Sequence, residues 1–61
     1  MKRGVAIITI YLNGKDEEEL IQRGRSLCDR INQRDKALSA ELEKIYEVPF
    51  GKIGEQREIK L

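Results

Sequence analysis

The chain has 61 residues, 39% apolar and 38% charged, and its twelve Lys and Arg against eleven Asp and Glu leave a net charge of +1. That length bounds it to one small domain, 1–61, near the lower limit for a core that stands alone, since so short a chain buries only roughly 60% of its unfolded surface. The balanced charge excludes a disordered acidic or basic tail and any global attraction to nucleic acid or membrane, and no run reaches the roughly 20 apolar residues of a membrane span.

The first element is Val5-Ala6-Ile7-Ile8-Thr9-Ile10-Tyr11-Leu12, rich in β-branched residues and with Thr9 its one side chain outside the apolar class. It reads as a strand. Odd positions carry Val5, Ile7, Thr9 and Tyr11, and even positions carry Ala6, Ile8, Ile10 and Leu12. Neither set is charged, so the run lacks the alternation of a sheet with one wet face. No small-x-small cleavage site follows, which argues against a signal peptide. Asn13-Gly14 supplies turn chemistry, Gly14 being able to take positive φ.

Asp16-Glu17-Glu18-Glu19 reads as a helix start: Asp16 caps, Glu19 completes a capping-box-like arrangement, and the acids suit the positive end of the helix dipole. From there Leu20, Ile21, Leu27, Cys28, Ile31, Leu38, Leu42, Ile45 and Tyr46 fall within one sector of the helical wheel. The phase survives Asn32-Gln33-Arg34-Asp35, which favours one amphipathic helix from about Asp16 to about Tyr46, roughly 45 Å long. A break near Asp35, giving two helices, is the alternative. Asp35 lies inside the apolar sector and is the one residue out of place there.

Pro49 ends whatever helix precedes it, and Val48-Pro49-Phe50-Gly51 reads as a turn. In the tail, Lys52 to Leu61, the apolar residues Ile53, Ile59 and Leu61 all occupy odd positions, the pattern of a short, half-buried edge strand. The fold class expected is therefore α+β: strand, long helix, short C-terminal strand. One copy offers nothing to cover the second face of Val5–Leu12, so the chain is expected to be an intertwined homodimer, or higher homo-oligomer, sharing a small sheet. The expected interface holds Val5, Ile7, Ile8, Ile10, Leu12, Leu38, Leu42 and Ile45.

The residue inventory argues against catalysis. The chain has no histidine, the commonest acid–base group and metal ligand. Cys28 is the single cysteine; it excludes an intrachain disulfide and CxxC zinc sites, favours a reducing, cytoplasmic setting, and reads as a packed thiol without a base to activate it. No cofactor or metal is expected. Asp35 reads as a cap or ion-pair partner ahead of a catalytic acid. Arg23, Arg30 and Arg34, at i, i+7 and i+11, share one helical flank, and Lys2 and Arg3 precede the strand. Together they form the candidate patch for nucleic acid or a protein partner, set against the plainer reading of a solvated flank with a Glu19–Arg23 pair.

Two resemblances bear on these elements. The strand followed by Asn-Gly-Lys-Asp-Glu-Glu and a helix, with the later Phe50-Gly51-Lys52-Ile53-Gly54, resembles the small tautomerases, whose catalytic base is an amino-terminal proline. Here Lys2 follows Met1, the only proline is Pro49, and the place of that family's second strand falls on the stretch Leu38 to Tyr46 read as helix, so the resemblance implies no activity. The N-terminal strand before a helix resembles the ribbon-helix-helix repressors. That resemblance implies a strand pair in the DNA major groove and, with a break at Arg34-Asp35, helices Asp16–Asn32 and Lys36–Tyr46. A strand apolar on both faces is poorly suited to reading base edges. The function expected is a non-enzymatic interaction or regulatory module acting as a homodimer, with a DNA-binding repressor as the alternative.

Overall fold

The computed structural model describes residues 1–49 and 55–61; the expectations placed on Phe50, Gly51, Lys52 and Ile53 lie outside the described residues. One helix and a two-stranded antiparallel sheet follow one another along the chain, an α+β arrangement.

Helix α1 spans Glu17–Arg34. Its start is the one expected: Asp16 is in extended backbone, its Oδ1 accepts the Glu19 N–H at 2.9 Å, and three glutamates fill the first turn. The reciprocal half of the capping box does not form, because Glu19 Oε1 instead accepts from Arg23 Nε and Nη2 at 3.2 and 2.9 Å.

The helix does not run on to Tyr46. It stops after 18 residues, about 27 Å, with Asp35 in extended backbone at φ −134° and ψ 109°. Asp35 Oδ1 takes the Ala37 N–H at 2.9 Å, and the Asp35 carbonyl takes the Leu38 N–H at 3.1 Å. This local turn competes directly with helix continuation, as a short acidic side chain is suited to do. Continuation would also have carried the Asp35 carboxylate into the apolar sector, at a desolvation cost. The alternative of a second helix fails as well, for Leu38 to Ile45 is not helical. One of the two departures from the tautomerase pattern, a helix over Leu38–Tyr46, is thereby removed; the absent amino-terminal proline stands.

Strand β1, Tyr46–Glu47, pairs antiparallel with strand β2, Arg57–Glu58, in the register Tyr46↔Glu58 and Glu47↔Arg57. One position further out, the Ile59 N–H donates to the Ile45 carbonyl at 2.9 Å. Ile45 and Ile59 are the buried apolar side chains among the described residues, at 7% and 5% exposure. The tail therefore does form a strand, but its partner is the segment just before Pro49 and not the N-terminal run. Leu61, expected to be half-buried, is exposed.

Val5–Leu12 joins no ladder. The strand-forming sequence is there; a partner edge among the described residues is not. The molecule is elongated as a result, 44 × 21 × 18 Å, with a radius of gyration of 13.4 Å against about 10.5 Å for a compact chain of this length.

Candidate interaction surface

The helix stripe is where the rest of the chain converges. Leu20, Ile21, Leu27, Cys28 and Ile31 are half-buried along it, and Gly24, on the same face, is buried. Two segments lie against Gly24. A β-carbon there would sit 3.2 and 3.3 Å from the two methyl carbons of Leu42 and 3.7 Å from Leu12 Cδ1. The missing side chain lets Leu42 approach the helix backbone. Gly24 is the residue that the sequence reading passed over. A glycine in a helix interior costs about 1 kcal/mol against alanine, and its place on the apolar stripe was the available signal of a close approach.

Gly14 works in a related way. Its φ lies outside the left-handed region, so the positive φ expected of it is not used; a β-carbon there would meet the Leu20 backbone nitrogen at 3.3 Å. Gly14 lets the incoming chain pass close over the first helical turn.

After α1, the return of the chain is fixed by Asn32. Its Nδ2 donates to the Ala40 carbonyl at 3.1 Å and its Oδ1 accepts the Ala40 N–H at 2.6 Å. A side-chain amide thus does for Ala40 what a neighbouring strand would do. The clamp sets the direction in which Leu42 and Ile45 are delivered.

Between the N-terminal segment and the returning segment lies an open trough of about 1820 Å³. Residues 1–14 and 36–48 line it, and the helix contributes Leu20, Gly24, Leu27, Cys28 and Ile31. Among the described residues no hydrogen bond involves any residue from Val5 to Leu12, which leaves the amides and carbonyls of the strand-forming run without a partner there. Its large side chains are correspondingly open: Val5 90%, Ile7 94%, Ile8 74%, Ile10 51% and Tyr11 80% exposed.

Of the eight residues expected at an interface, Val5, Ile7, Ile8 and Ile10 lie exposed on one wall of the trough, and Leu12 is half-buried at its helix end. Leu38 is exposed on the other wall. Leu42 packs on Gly24, and Ile45 is buried within the copy.

The basic patch is less coherent than its spacing suggested. Arg23 is bound to Glu19 in a largely solvent-facing pair at 2.9 Å. Arg23 and Arg30 line a shallow cleft of about 790 Å³ that also carries Asp16, Glu18 and Glu19, so both signs of charge alternate along it. Arg34 sits in the last helical turn, where a cation suits the dipole. Lys2 and Arg3 are exposed beside the trough, away from that cleft.

Cys28 is a half-buried free thiol facing the trough. Among the described residues, no three acidic or cysteine side chains gather closely enough to share a metal ion, and no helix is long and apolar enough to cross a membrane. No known protein family, characterised protein or solved structure matches the chain.

Proposed function

We propose that this chain is a small, non-enzymatic interaction or regulatory module of the cell interior that works as a homodimer through the Val5–Leu12 segment. The observation that carries the reading is the size of the uncovered surface. The chain exposes 6275 Å², whereas a compact folded monomer of 7.1 kDa exposes about 4,100 Å². A single copy thus hides only about 40% of its fully extended surface of about 10,300 Å², well short of the roughly 60% usual for its size. Among the described residues, five of the ten large exposed apolar side chains cluster in one uncharged run whose backbone is also unpaired. A second copy covers the run with residues of the same character, and two such strands pairing across a two-fold axis satisfy the amides and carbonyls that face their shared edge.

The DNA-binding alternative draws less support. The segment Lys36–Tyr46 that would be the second helix of a ribbon-helix-helix unit is not helical, and the arginine flank is interleaved with acids. Phosphate contacts would make any such binding weaken steeply with salt.

Two measurements test the reading. Sedimentation velocity at micromolar concentration is expected to give two or more copies, and a compact, helical single copy would overturn the proposal. A gel-shift titration on duplex DNA at two salt concentrations is expected to show no discrete complex. A salt-sensitive complex that disappears on Arg23→Ala, Arg30→Ala and Arg34→Ala together would transfer the function to the repressor class.

A further inference from the structure

The uncovered surfaces of Val5–Leu12 point in more than one direction. Along the even positions exposure falls towards the helix, from 74% at Ile8 to 51% at Ile10, with Leu12 half-buried near Gly24. Along the odd positions it does not fall: Val5, Ile7 and Tyr11 stay at 90%, 94% and 80%. Successive side chains of a strand project to opposite faces, while its amides and carbonyls point sideways, in the plane of the sheet. The segment therefore needs a cover over its even face, a cover over its odd face, and partners for its two edges. Its own helix begins the first and supplies neither of the others.

One two-fold contact cannot supply both. Edge-to-edge pairing of two copies satisfies the amides and carbonyls of one edge and brings a strand across the trough, yet leaves Val5, Ile7 and Tyr11 in water. Stacking two odd faces covers those side chains and leaves the edges open. Resting on the homodimer reading above, we propose that Val5–Leu12 contacts other copies of this chain through two separate surfaces, its backbone edge and its Val5–Ile7–Tyr11 face. The dimer is then the building block of a closed assembly of at least four chains.

The areas favour two contacts over one. The surface in excess of a compact monomer is about 2,200 Å² per chain. A standard interface takes about 800 Å² from each partner, so one leaves more than 1,000 Å² of the excess unexplained and two account for most of it. The strand also tolerates its own image. Val5–Leu12 holds no charged residue, so neither antiparallel pairing nor face stacking places like charges together. Two different isologous contacts on one chain, with their two-fold axes crossing, close in dihedral symmetry, whose smallest member has four copies.

Native mass spectrometry and sedimentation velocity on the full chain test this, with Ile7→Lys/Tyr11→Lys as the principal variant. The wild type is expected to hold four or more copies. The variant, with charges on the odd face alone, is expected to fall to a dimer while keeping its helical circular dichroism. The milder Ile7→Thr keeps a β-branched residue and is expected to raise the dimer-to-assembly dissociation constant at least tenfold. A wild-type dimer or trimer overturns the four-chain assembly but leaves self-association through this strand standing; a folded monomer ends both. Four copies persisting unchanged in the double variant would overturn the role given to the odd face.

Discussion

Leu42 places both of its methyl carbons within 3.3 Å of the position a β-carbon on Gly24 would occupy. This contact joins the returning segment to the helix at the middle of the apolar stripe. It also makes Gly24→Ala informative. Alanine gains about 1 kcal/mol of helix propensity, but overpacking costs about 1–3 kcal/mol where neighbours cannot yield. With the trough covered by a second copy Leu42 has little room, and Gly24→Ala is expected to destabilise by about 1 kcal/mol in urea unfolding. Net stabilisation would show that the trough stays open in solution.

Asn32 holds Ala40 by two hydrogen bonds, and each is worth about 0.5–1.5 kcal/mol. Asn32→Ala is expected to cost about 1–2 kcal/mol. Asn32→Asp keeps the acceptor for the Ala40 N–H but removes the donor to its carbonyl, so most of that loss is expected to remain. Hydrogen exchange at the Ala40 amide reads the same contact locally, and unchanged protection there in Asn32→Ala would contradict the clamp.

Asp16 caps the helix through the Glu19 N–H, and Asp16→Ala is expected to cost about 1 kcal/mol. Asp16→Asn or Asp16→Ser should recover most of it, because either side chain accepts the same hydrogen bond. Thermal unfolding of the three variants distinguishes capping from a purely electrostatic effect, in which the neutral substitutes would fail together.

Cys28 reports on the trough. The thiol faces it and is half-buried in one copy, so covering the trough should slow its alkylation. At high protein concentration maleimide labelling is expected to be slowed at least tenfold relative to dilute protein or to Ile7→Lys/Tyr11→Lys/Ile8→Pro, which is expected to remain monomeric. Labelling independent of concentration would place Cys28 outside any covered surface.

Glu47 and Arg57 face each other across β1 and β2 at 3.5 Å, both with substantial solvent exposure. Exposed pairs of this kind contribute little. A double-mutant cycle with Glu47→Ala and Arg57→Ala is expected to give a coupling under about 0.5 kcal/mol, and a coupling above 1 kcal/mol would mean that the pair is sheltered in the assembly.

Several elements were legible in the sequence; the continuation of the helix past Asp35 was misread, and the strand expected at Val5–Leu12 does not form within one copy. Asp16, the acidic first turn and the stripe from Leu20 to Ile31 specified the helix and its buried face through local hydrogen bonding and periodicity alone. The stretch Leu38 to Ile45 fitted the same helical phase, but Leu38, Ala40 and Leu42 alternate equally well with Ser39, Glu41 and Glu43. Over so short a run the two periods are not separable. The deciding residues were Asp35, whose side chain closes a turn on Ala37, and Asn32, which binds a residue eight positions away. The basic patch had the right spacing and the wrong surroundings, since its acids come from the helix's own first turn.

The amino acids alone determined where a helix begins, which of its faces is apolar, and that Val5–Leu12 carries no charged face. Those properties depend on neighbours three or four residues apart, or on composition. Only the tertiary structure decided that the helix ends at Arg34, that the tail pairs with Tyr46–Glu47, and that Val5–Leu12 finds no partner edge among the described residues of its own copy. Each of these is a choice between contacts distant along the chain, settled by which segment the turn at Asp35 and the space over Gly24 bring within reach.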